Sequence, residues 1–261
     1  MTVKLPSISI VTPTLNQARY IEKTIESVLS QGYKRLEYII IDGGSTDNTS
    51  SIITKYKKYI TYIRERDQGQ TEAINKGLKM ATGNIVAYLN SDDYYELGAF
   101  EKVIQLFSSN PKFMWITGKC KIVNEKNREV RKMVTNYKNL YLHHLRNKTS
   151  LGVVQFISQP STFWRRQVHK EIGYFDEKLF YAMDYDFWLR MFGKYGNLAY
   201  IDDVLANFRV YKDSKTGRNP KGQFAEEIQV ARRYIRWPWQ LYLHKIHAIL
   251  ALSLYKGNKI I

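Results

Sequence analysis

Residues 83–93 read Gly83-Asn84-Ile85-Val86-Ala87-Tyr88-Leu89-Asn90-Ser91-Asp92-Asp93, a short apolar run that ends in two adjacent carboxylates. The run 85–89 has the length and residue types of a buried strand. Carboxylates are hard oxygen ligands, suited to a Mg²⁺ or Mn²⁺ ion that shares its site with substrate phosphates. The stretch therefore predicts a metal–diphosphate site at the carboxyl end of a central strand.

The first 110 residues alternate between strand-like and helix-like patterns. Strands are predicted at 8–11, 36–41, 59–63 and 85–89, and helices at 21–29, about 47–56, 70–80 and 97–107. This alternation predicts an α/β fold with a Rossmann-like, mostly parallel central sheet flanked by helices. Ligands of such sheets bind outside the carboxyl ends of the strands. The four predicted ends are all polar or acidic: Thr12-Pro13-Thr14, Asp42-Gly43-Gly44, Arg66-Asp67 and Asn90-Ser91-Asp92-Asp93.

The later part of the chain has a mixed pattern. Strands are predicted at 115–123 and 152–157, a pair of short strands at 199–201 and 204–210, and a helix at 184–192. From about residue 219 the pattern is helical, with a break at Pro238. No run of 18 apolar residues occurs, so we expect no transmembrane helix.

The composition favours an anionic partner. The 261 residues include 40 Lys and Arg against 24 Asp and Glu, a formal net charge of +16. That excess suits nucleic acid, a phosphorylated substrate or an anionic lipid surface. Cys120 is the only cysteine, which excludes an intrachain disulfide and agrees with a reducing cytosol.

Each acidic motif also has a purely structural interpretation. Asp92 and Asp93 could start a turn or cap the next helix, although the strand before them and the other polar strand ends favour a metal. The glycine pair after Asp42 could form an ordinary turn or let the backbone approach a nucleotide. Asp184 could be a plain N-cap, or a catalytic base that the helix N-terminus keeps ionised.

Taken in order, these motifs resemble the family 2 glycosyltransferases of the GT-A fold, over roughly residues 7–215. The motifs that carry the resemblance are Thr12-Pro13-Thr14-Leu15-Asn16, Asp42-Gly43-Gly44-Ser45-Thr46-Asp47, Asp67-Gln68-Gly69-Gln70 with Ala73-Ile74-Asn75-Lys76-Gly77, Asn90-Ser91-Asp92-Asp93, Gln159-Pro160-Ser161-Thr162-Phe163-Trp164 and Asp184-Tyr185-Asp186-Phe187-Trp188-Leu189-Arg190.

The resemblance implies an inverting transfer of a sugar from a nucleotide donor, with UDP favoured, to an acceptor hydroxyl. It implies Mn²⁺ or Mg²⁺ on Asp93 and Asp92, and Asp184 as the general base. The nucleotide-binding residues that we expect are Thr12, Pro13, Asn16, Asp42, Asp67, Asn75 and Asp92. Those that we expect on the acceptor or diphosphate side are Gln159, Trp164, Asp186, Arg209 and Lys215.

Two positions depart from the family pattern. Asn90 stands where relatives often have the first Asp of an Asp-x-Asp signature. Tyr211 stands where relatives often carry a His near the metal or phosphate, so the third protein ligand is in question. Arg209 and Lys215 could instead neutralise the leaving diphosphate, or belong to an ordinary basic loop.

We predict a catalytic domain at 1–218, with a nucleotide-binding half at 1–110 and an acceptor-side half at 111–218, and a basic amphipathic extension at 219–261. In the segment 231–255, Gln240, His244 and His247 gather on one narrow face, opposite an apolar arc. Two interpretations stay open. The segment lies on an anionic membrane surface, or it packs on the catalytic domain or on a second subunit in a homo-oligomer.

The membrane interpretation predicts a cytoplasmic protein, peripheral on the inner face of the cell membrane. Its acceptor would be a saccharide or a lipid-linked sugar of cell-surface polysaccharide synthesis. Two alternatives compete with sugar transfer. A nucleic-acid or anion-binding module would explain the charge, although acidic strand ends repel phosphate backbones. A nucleotidyltransferase would want a glycine-rich loop after the first strand, and residues 12–16 contain no glycine.

Overall fold

The computed structural model describes residues 5–235 and 237–257, with the side chains of Thr216 and of 250–257 left aside. The strands are β1 Ile8–Thr14, β2 Leu36–Asp42, β3 Thr61–Arg64, β4 Ile85–Tyr88, β5 Tyr94–Tyr95, β6 Trp115–Val123, β7 Thr162–Arg165 and β8 Ala199–Arg209. The helices are α1 Ile21–Leu29, α2 Thr49–Thr54, α3 Gln70–Met80, α4 Ala99–Ser109, α5 Lys132–His144, α6 Lys148–Val153, α7 Val168–Ile172, α8 Met183–Tyr195, α9 Lys215–Arg218, α10 Pro220–Tyr234 and α11 Pro238–Gly257.

One sheet of eight strands has the order β3-β2-β1-β4-β7-β6-β8-β5. The first four of these strands are parallel, as predicted, and β7 continues the sheet antiparallel to β4 and β6. The chain runs outward from β1 through β2 to β3 and then returns to place β4 on the other side of β1. The strand order therefore reverses between β1 and β4, which is where open α/β sheets bind their ligands.

The first four helices form because apolar residues recur at helical spacing and cover the sheet. On α3, Ile74 and Leu78 are buried, and Gly77 lies against β1. A Cβ at Gly77 would stand 2.3 Å from a methyl group of Val11. A larger residue there would push α3 off the sheet, because interiors are packed without spare volume. The predicted bounds of α3 and β6 agree with the structure to the residue.

The chain divides into two compact units. The first unit comprises residues 1–120, 158–174 and 199–208, and the second comprises 121–157, 175–198 and 209–261. The sheet belongs mainly to the first unit, and helices α5, α6 and α8–α11 belong to the second. These are units of packing, so the functional division at residues 110 and 218 stays a prediction.

The predicted strand at 152–157 is wrong. Residues 148–153 form α6, and the Asn147 side chain caps it by accepting the Ser150 N–H at 2.9 Å. A short apolar run has no periodicity to separate strand from helix, whereas Asn147 is a standard N-cap residue. The cap was thus the signal that the pattern analysis missed.

The predicted pair of late strands is one continuous strand, β8. The two acidic residues between the predicted strands lie at the surface and have lysine partners. Asp202 pairs with Lys119 at 2.7 Å, and Asp203 pairs with Lys102 at 2.8 Å. Charged residues can therefore lie within β8 because their side chains stay hydrated and paired.

Helix α8 is the centre of the second unit. Tyr185, Phe187 and Trp188 are fully buried, and α6 and α10 pack against α8 while α11 packs against α6 and α10. None of the helices in the described ranges is both long enough and apolar enough to cross a bilayer.

Candidate active site

The Asn90 side chain holds together the acidic loop that follows β4. Its Oδ1 accepts a hydrogen bond from Gln70 Nε2 at 2.7 Å. Its Nδ2 donates to Asp93 Oδ2 at 3.2 Å and to Gln159 Oε1 at 3.3 Å. An amide accepts at its oxygen and donates at its nitrogen, whereas an ionised carboxylate only accepts. The substitution of Asn for the more frequent Asp at this position therefore has a physical reason in this chain.

The two carboxylates of the loop have different surroundings. Asp93 is 1% exposed, whereas Asp92 is half-buried. The Asp93 main-chain oxygen also accepts the hydroxyl hydrogen bond of Thr24 at 2.7 Å, which fixes the loop to α1. Asp92 is thus the carboxylate that a ligand can reach, and Asp93 is the one that the protein holds in place.

Two buried hydroxyl groups near this edge have no hydrogen-bond partner among the described residues: Thr14 at the end of β1 and Tyr95 in β5. Burial raises the pKa of Tyr95 well above its ordinary value, and the negative charge of Asp93 raises it further. Buried polar groups are normally satisfied. Thr14 lies at the carboxyl end of β1, the ligand-binding edge of the sheet, whereas Tyr95 packs against Phe100 and Phe163.

Asp42, at the end of β2, is fully buried and organises the β2–α2 turn. Its Oδ1 accepts from Ser45 N at 2.8 Å, Ser45 Oγ at 2.7 Å and Gly44 N at 3.1 Å. Its Oδ2 accepts from Tyr62 Oη at 2.7 Å. The carboxylate that we expected to hold the nucleotide is thus engaged by the protein itself and fixes the turn after β2.

Asp67 lies beside the same turn. A Cβ at Gly43 would stand 2.5 Å from Asp67 Oδ2, so only glycine lets this carboxylate approach. Burial raises the pKa of Asp67, the charges of Glu72 and Asp42 raise it further, and the Gly69 N–H and Lys76 oppose this. The half-buried Asp67 is thus the more accessible of the two predicted nucleoside carboxylates.

The other predicted nucleotide residues belong to the same unit but differ in exposure. Thr12 and Pro13 are buried in β1, and the Thr12 hydroxyl pairs with Tyr38 Oη at 3.0 Å. Asn16 is exposed, and its Oδ1 accepts from Thr46 N at 2.8 Å. Asn75 is buried on α3. Thr12 and Pro13 therefore contribute shape, whereas Asn16 belongs to the rim.

Two residues that were predicted on the acceptor or diphosphate side belong to the first unit. Gln159 donates to the Tyr88 carbonyl at 2.6 Å and accepts from Asn90, so it connects the acidic loop to β4. Trp164 is fully buried in β7 and donates to His169 Nε2 at 3.0 Å. Gln159 thus supports the loop, and Trp164 is part of the core.

In the second unit, Asp184 is not the N-cap of α8. Ala182 occupies the cap position, no side chain caps it, and Asp184 Oδ1 accepts from Tyr185 N at 2.7 Å. Burial raises the pKa of Asp184 to about 6, although Lys138 and Lys215 lower it. A carboxyl with this pKa is mostly ionised at neutral pH and still basic enough to take a proton.

Charged groups surround Asp184 within the second unit. Burial raises the pKa of Glu227 to about 7, and the Asp184 charge adds to this effect. Burial lowers the pKa of Lys215 to about 8, although Asp184 and Glu226 oppose the shift. Carboxylates and lysines that shift one another in this way are common where proton transfer occurs.

Asp186 and Arg209 have structural partners. Asp186 is 2% exposed and accepts from Arg190 Nε at 2.8 Å and from Tyr234 Oη at 2.7 Å. Arg209 is 2% exposed and donates to the Asn124 carbonyl at 3.2 Å. Their contacts indicate that Asp186 joins α8 to α10 and that Arg209 holds the β6 end.

The sequence pattern missed several of these residues. Gln70 and Gln159 stood in quoted motifs, but their link through Asn90 was not predicted. Lys138, Glu226 and Glu227 had no signal at all, because they lie on helices distant in sequence from Asp184.

The described side chains do not by themselves form a complete metal site. Within the described residues, no group of three or more His, Cys, Asp or Glu could hold an ion.

Comparison with known proteins identifies the family. Residues 9–173 match the family described as Glycosyl transferase family 2, and the chain belongs to it. An uncharacterized glycosyltransferase of Rickettsia typhi is 28% identical over 228 residues, covering 85% of this chain and 69% of the relative. The poly-beta-1,6-N-acetyl-D-glucosamine synthase of Staphylococcus aureus is 30% identical over 176 residues, covering 66% of this chain and 43% of the synthase.

Solved structures confirm the predicted GT-A fold. The mannosyltransferase PcManGT of Pyrobaculum calidifontis, in complex with GDP-Man and Mn²⁺, has a TM-score of 0.73 at 18% identity, covering 99% of this chain and 77% of that one. S. aureus TarS 1-349, in complex with UDP-GlcNAc, has a TM-score of 0.68 at 19% identity, covering 86% of this chain and 65% of that one.

The Asn90 contacts give a first prediction. Asn90→Asp replaces the amide donor by a carboxylate that faces Asp93, so we expect the free energy of unfolding to fall by about 1–3 kcal/mol at pH 7. The loss should shrink below about pH 4, where carboxylates become protonated. Urea unfolding at both pH values measures this.

Asn124→Asp is the matched control, because both side-chain bonds described for Asn124 are accepted by its Oδ1, from Lys126 N and Arg128 N at 3.0 Å. An aspartate keeps those bonds, so stability should change little. Equal stability of Asn90→Asp and the wild type at pH 7 would show that the Nδ2 bonds contribute nothing.

Proposed function

We propose that this protein is an inverting glycosyltransferase that moves a sugar from a nucleotide-diphosphate donor to an acceptor hydroxyl. The observation that carries the proposal is the acidic loop 90–93 at the carboxyl end of β4, beside the ends of β1 and β2, where the strand order reverses. Family membership supports transfer chemistry, and the polar strand ends support a nucleotide at this edge.

We assign the nucleoside to the pocket at the ends of β1 and β2. Asp67 is the accessible carboxylate, Asp42 fixes the turn around it, and Asn16 lies at the rim. A uridine donor has the support of the UDP-GlcNAc in the TarS complex. A guanosine donor is the alternative, because PcManGT was solved with GDP-Man.

A divalent ion, Mn²⁺ or Mg²⁺, fits this loop. Asp92 and Asp93 supply two adjacent carboxylates, and such ions usually complete their shell with substrate phosphates and water. When bound, the ion would neutralise the charge of the leaving diphosphate. Because Asp92 is the less buried member of the pair, we propose it as the first ligand, with Asp93 holding the loop geometry.

The donor site gives a second prediction. Calorimetry with UDP, GDP and dTDP in the presence of Mn²⁺ should show one preferred nucleotide, and Asp92→Asn should weaken its binding about 10-fold or more, since a charged ligand is lost. Chelation of the ion should weaken the wild type to the level of the variant. Equal binding with and without Mn²⁺ would contradict metal dependence.

We assign the general base to Asp184. The acceptor hydroxyl transfers its proton to an Asp184 carboxylate oxygen as the acceptor oxygen bonds to the anomeric carbon. The bond from that carbon to the diphosphate oxygen breaks on the opposite face, and its electron pair leaves with the diphosphate. The positive charge of Lys215 lowers the pKa of Asp184 against the effect of burial and so favours the ionised form of the base.

The third prediction concerns this base. Asp184→Asn should lower kcat by about 10²–10⁴-fold and leave donor affinity unchanged, because an amide cannot accept the proton. The control Asp213→Asn removes an equal charge from a side chain that is 74% exposed in the same unit, and should keep wild-type kcat.

The pH profile of the wild-type enzyme tests the same assignment. Activity should rise through pH 6 as Asp184 loses its proton, and fall above pH 8 as Lys215 loses its charge. A flat profile between pH 5 and pH 7 would contradict Asp184 as the base.

We also propose that the acceptor is carried on a membrane lipid and that the second unit docks on the membrane. The polar stripe of α11 faces the protein. Gln240 donates to the Thr149 carbonyl at 3.3 Å, and His244 Nδ1 contacts the Val153 carbonyl at 3.2 Å. The opposite, apolar face is exposed, with Tyr242 at 67% and Ile249 at 66%.

Helix α5 also carries exposed apolar side chains. Met133 and Leu140 are exposed, and Tyr137, between them on the same helical face, contacts the His247 ring of α11 at 3.2 Å. The side chains of Leu250 and Leu254, which we predicted on the apolar arc of α11, lie outside the described residues. Arg236 also lies outside them. Two adjacent helices thus present apolar side chains to solvent.

The charge distribution favours an anionic lipid over a second copy of the chain. The second unit has 22 Lys and Arg against 9 Asp and Glu, a net charge of +13, whereas the first unit has 18 against 15, a net charge of +3. A dimer through α5 and α11 would bring two strongly basic units together, whereas each basic residue near an anionic surface gains roughly 1 kcal/mol.

Flotation of the full-length protein with vesicles provides the fourth prediction. The wild type should float with vesicles that contain phosphatidylglycerol and not with phosphatidylcholine alone. Replacing both Tyr242 and Ile249 by serine should reduce flotation several-fold. Leu97→Ser, at a leucine 77% exposed in the first unit, is the control and should float as the wild type. The membrane role would be overturned if the double variant floated as well as the wild type. It would also be overturned if the protein formed dimers and did not float.

A further inference from the structure

One side chain holds the loop that leads into α8. Glu226, on α10, accepts hydrogen bonds from three consecutive main-chain N–H groups. The distances are 2.9 Å from Phe180 N to Oε1 and 2.6 Å from Ala182 N to Oε2, and Tyr181 N also donates to Oε2. The Glu226 carboxylate thus accepts three main-chain hydrogen bonds, and each of them is charge-assisted.

Glu226 lies near the N-terminal end of α8, whose own sequence supplies no side-chain cap. Ala182 is at the cap position and has no side chain that could accept a hydrogen bond. The N-terminus of a helix exposes N–H groups and a partial positive charge, both of which favour a nearby carboxylate. Glu226 supplies that carboxylate from α10. Its hydrogen bonds hold residues 180–182, which end two residues before Asp184.

The same loop also positions Lys215. The Lys215 Nζ lies 4.0 Å from the ring centroid of Phe180 and 5.8 Å from that of Tyr181. A cation over an aromatic face is attracted by the ring. The main chain of residues 180–182 is thus held by Glu226, while the side chains of two of these residues contact Lys215.

We propose that Glu226 is a positioning residue of the transfer reaction, which holds the loop 180–182 and through it both Asp184 and Lys215. The inference rests on the proposed function, because it gives Glu226 a purpose only if Asp184 is the base. Glu226 itself touches no reacting atom. Its effect on the reaction passes through the loop and through its charge.

The charge of Glu226 acts within a defined group of neighbours. The groups that influence one another here come from four helices: Lys138 on α5, Asp184 on α8, Lys215 on α9, and Glu226 and Glu227 on α10. Glu226 raises the pKa of Lys215 against the effect of burial. Without that charge, Lys215 would lose its proton at lower pH.

Glu226→Gln tests the proposal, because the amide keeps the size of the side chain and loses its charge and one acceptor. We expect kcat to fall about 10–100-fold with the donor KM within about threefold of the wild type, since the donor residues lie in the other unit. The alkaline limb of the pH profile should move to lower pH, as the Lys215 pKa falls.

Amide hydrogen exchange gives a readout that does not depend on activity. In Glu226→Gln the amides of residues 180–182 should exchange at least tenfold faster, whereas those of β1 and β4 should be unchanged. Glu129→Gln is the matched control. It removes the same charge from the same unit, where Glu129 lies 3.9 Å from the exposed Lys132, and it should alter neither exchange at 180–182 nor kcat.

The outcomes separate this inference from the proposed function. If Asp184→Asn is inactive and Glu226→Gln has wild-type kcat and exchange, the role of Glu226 is overturned and the base assignment stands. If Asp184→Asn is fully active, the proposed function of that residue fails, and the positioning role fails with it. Faster exchange throughout the second unit of Glu226→Gln would indicate a general stabilising role and would also overturn the proposal.

Discussion

The parallel pairing of β1 with β2 on one side and β4 on the other is the constraint on which the donor side depends. Parallel strands end at the same edge of a sheet, so this pairing brings the turn after Asp42 and the loop after β4 together. The strand order reverses at that point, which is where open α/β sheets bind their ligands. The place of the proposed donor site is therefore a consequence of topology, and its chemistry is set by the residues at the strand ends.

The buried carboxylates of the two units differ in their hydrogen-bond donors. Asp42 and Asp93 are buried, with N–H and O–H donors around the first and an amide donor on the second. Asp184 and Glu227 are instead left short of donors, and burial raises the pKa of both. Buried carboxylates are costly unless they are paired or hydrogen-bonded. The first pair thus serves as fixed structure, and the second retains the ability to exchange a proton.

Much of the fold and part of the site followed from local pattern. The helix α3 and the acidic end of β4 could be predicted because their physical causes lie within a few residues. The short helix α6 was not, since six apolar and polar residues have no periodicity, and only the cap at Asn147 distinguished it. Tyr234 as a partner of Asp186 and Asn124 as a partner of Arg209 could not be predicted either, because they belong to segments far away in the sequence.

The sequence by itself determined the alternation of strands and helices, the family, and the set of carboxylates at the strand ends. Tertiary structure alone decided which of these side chains are accessible, as with Asp92 and Asp93. It also decided which distant residue holds the loop before Asp184, as Glu226 does. It also turned the polar stripe of α11 inward, against α6. Periodicity records that a helix has two faces, but the hydrogen-bond acceptors that a neighbour presents decide which of them is buried.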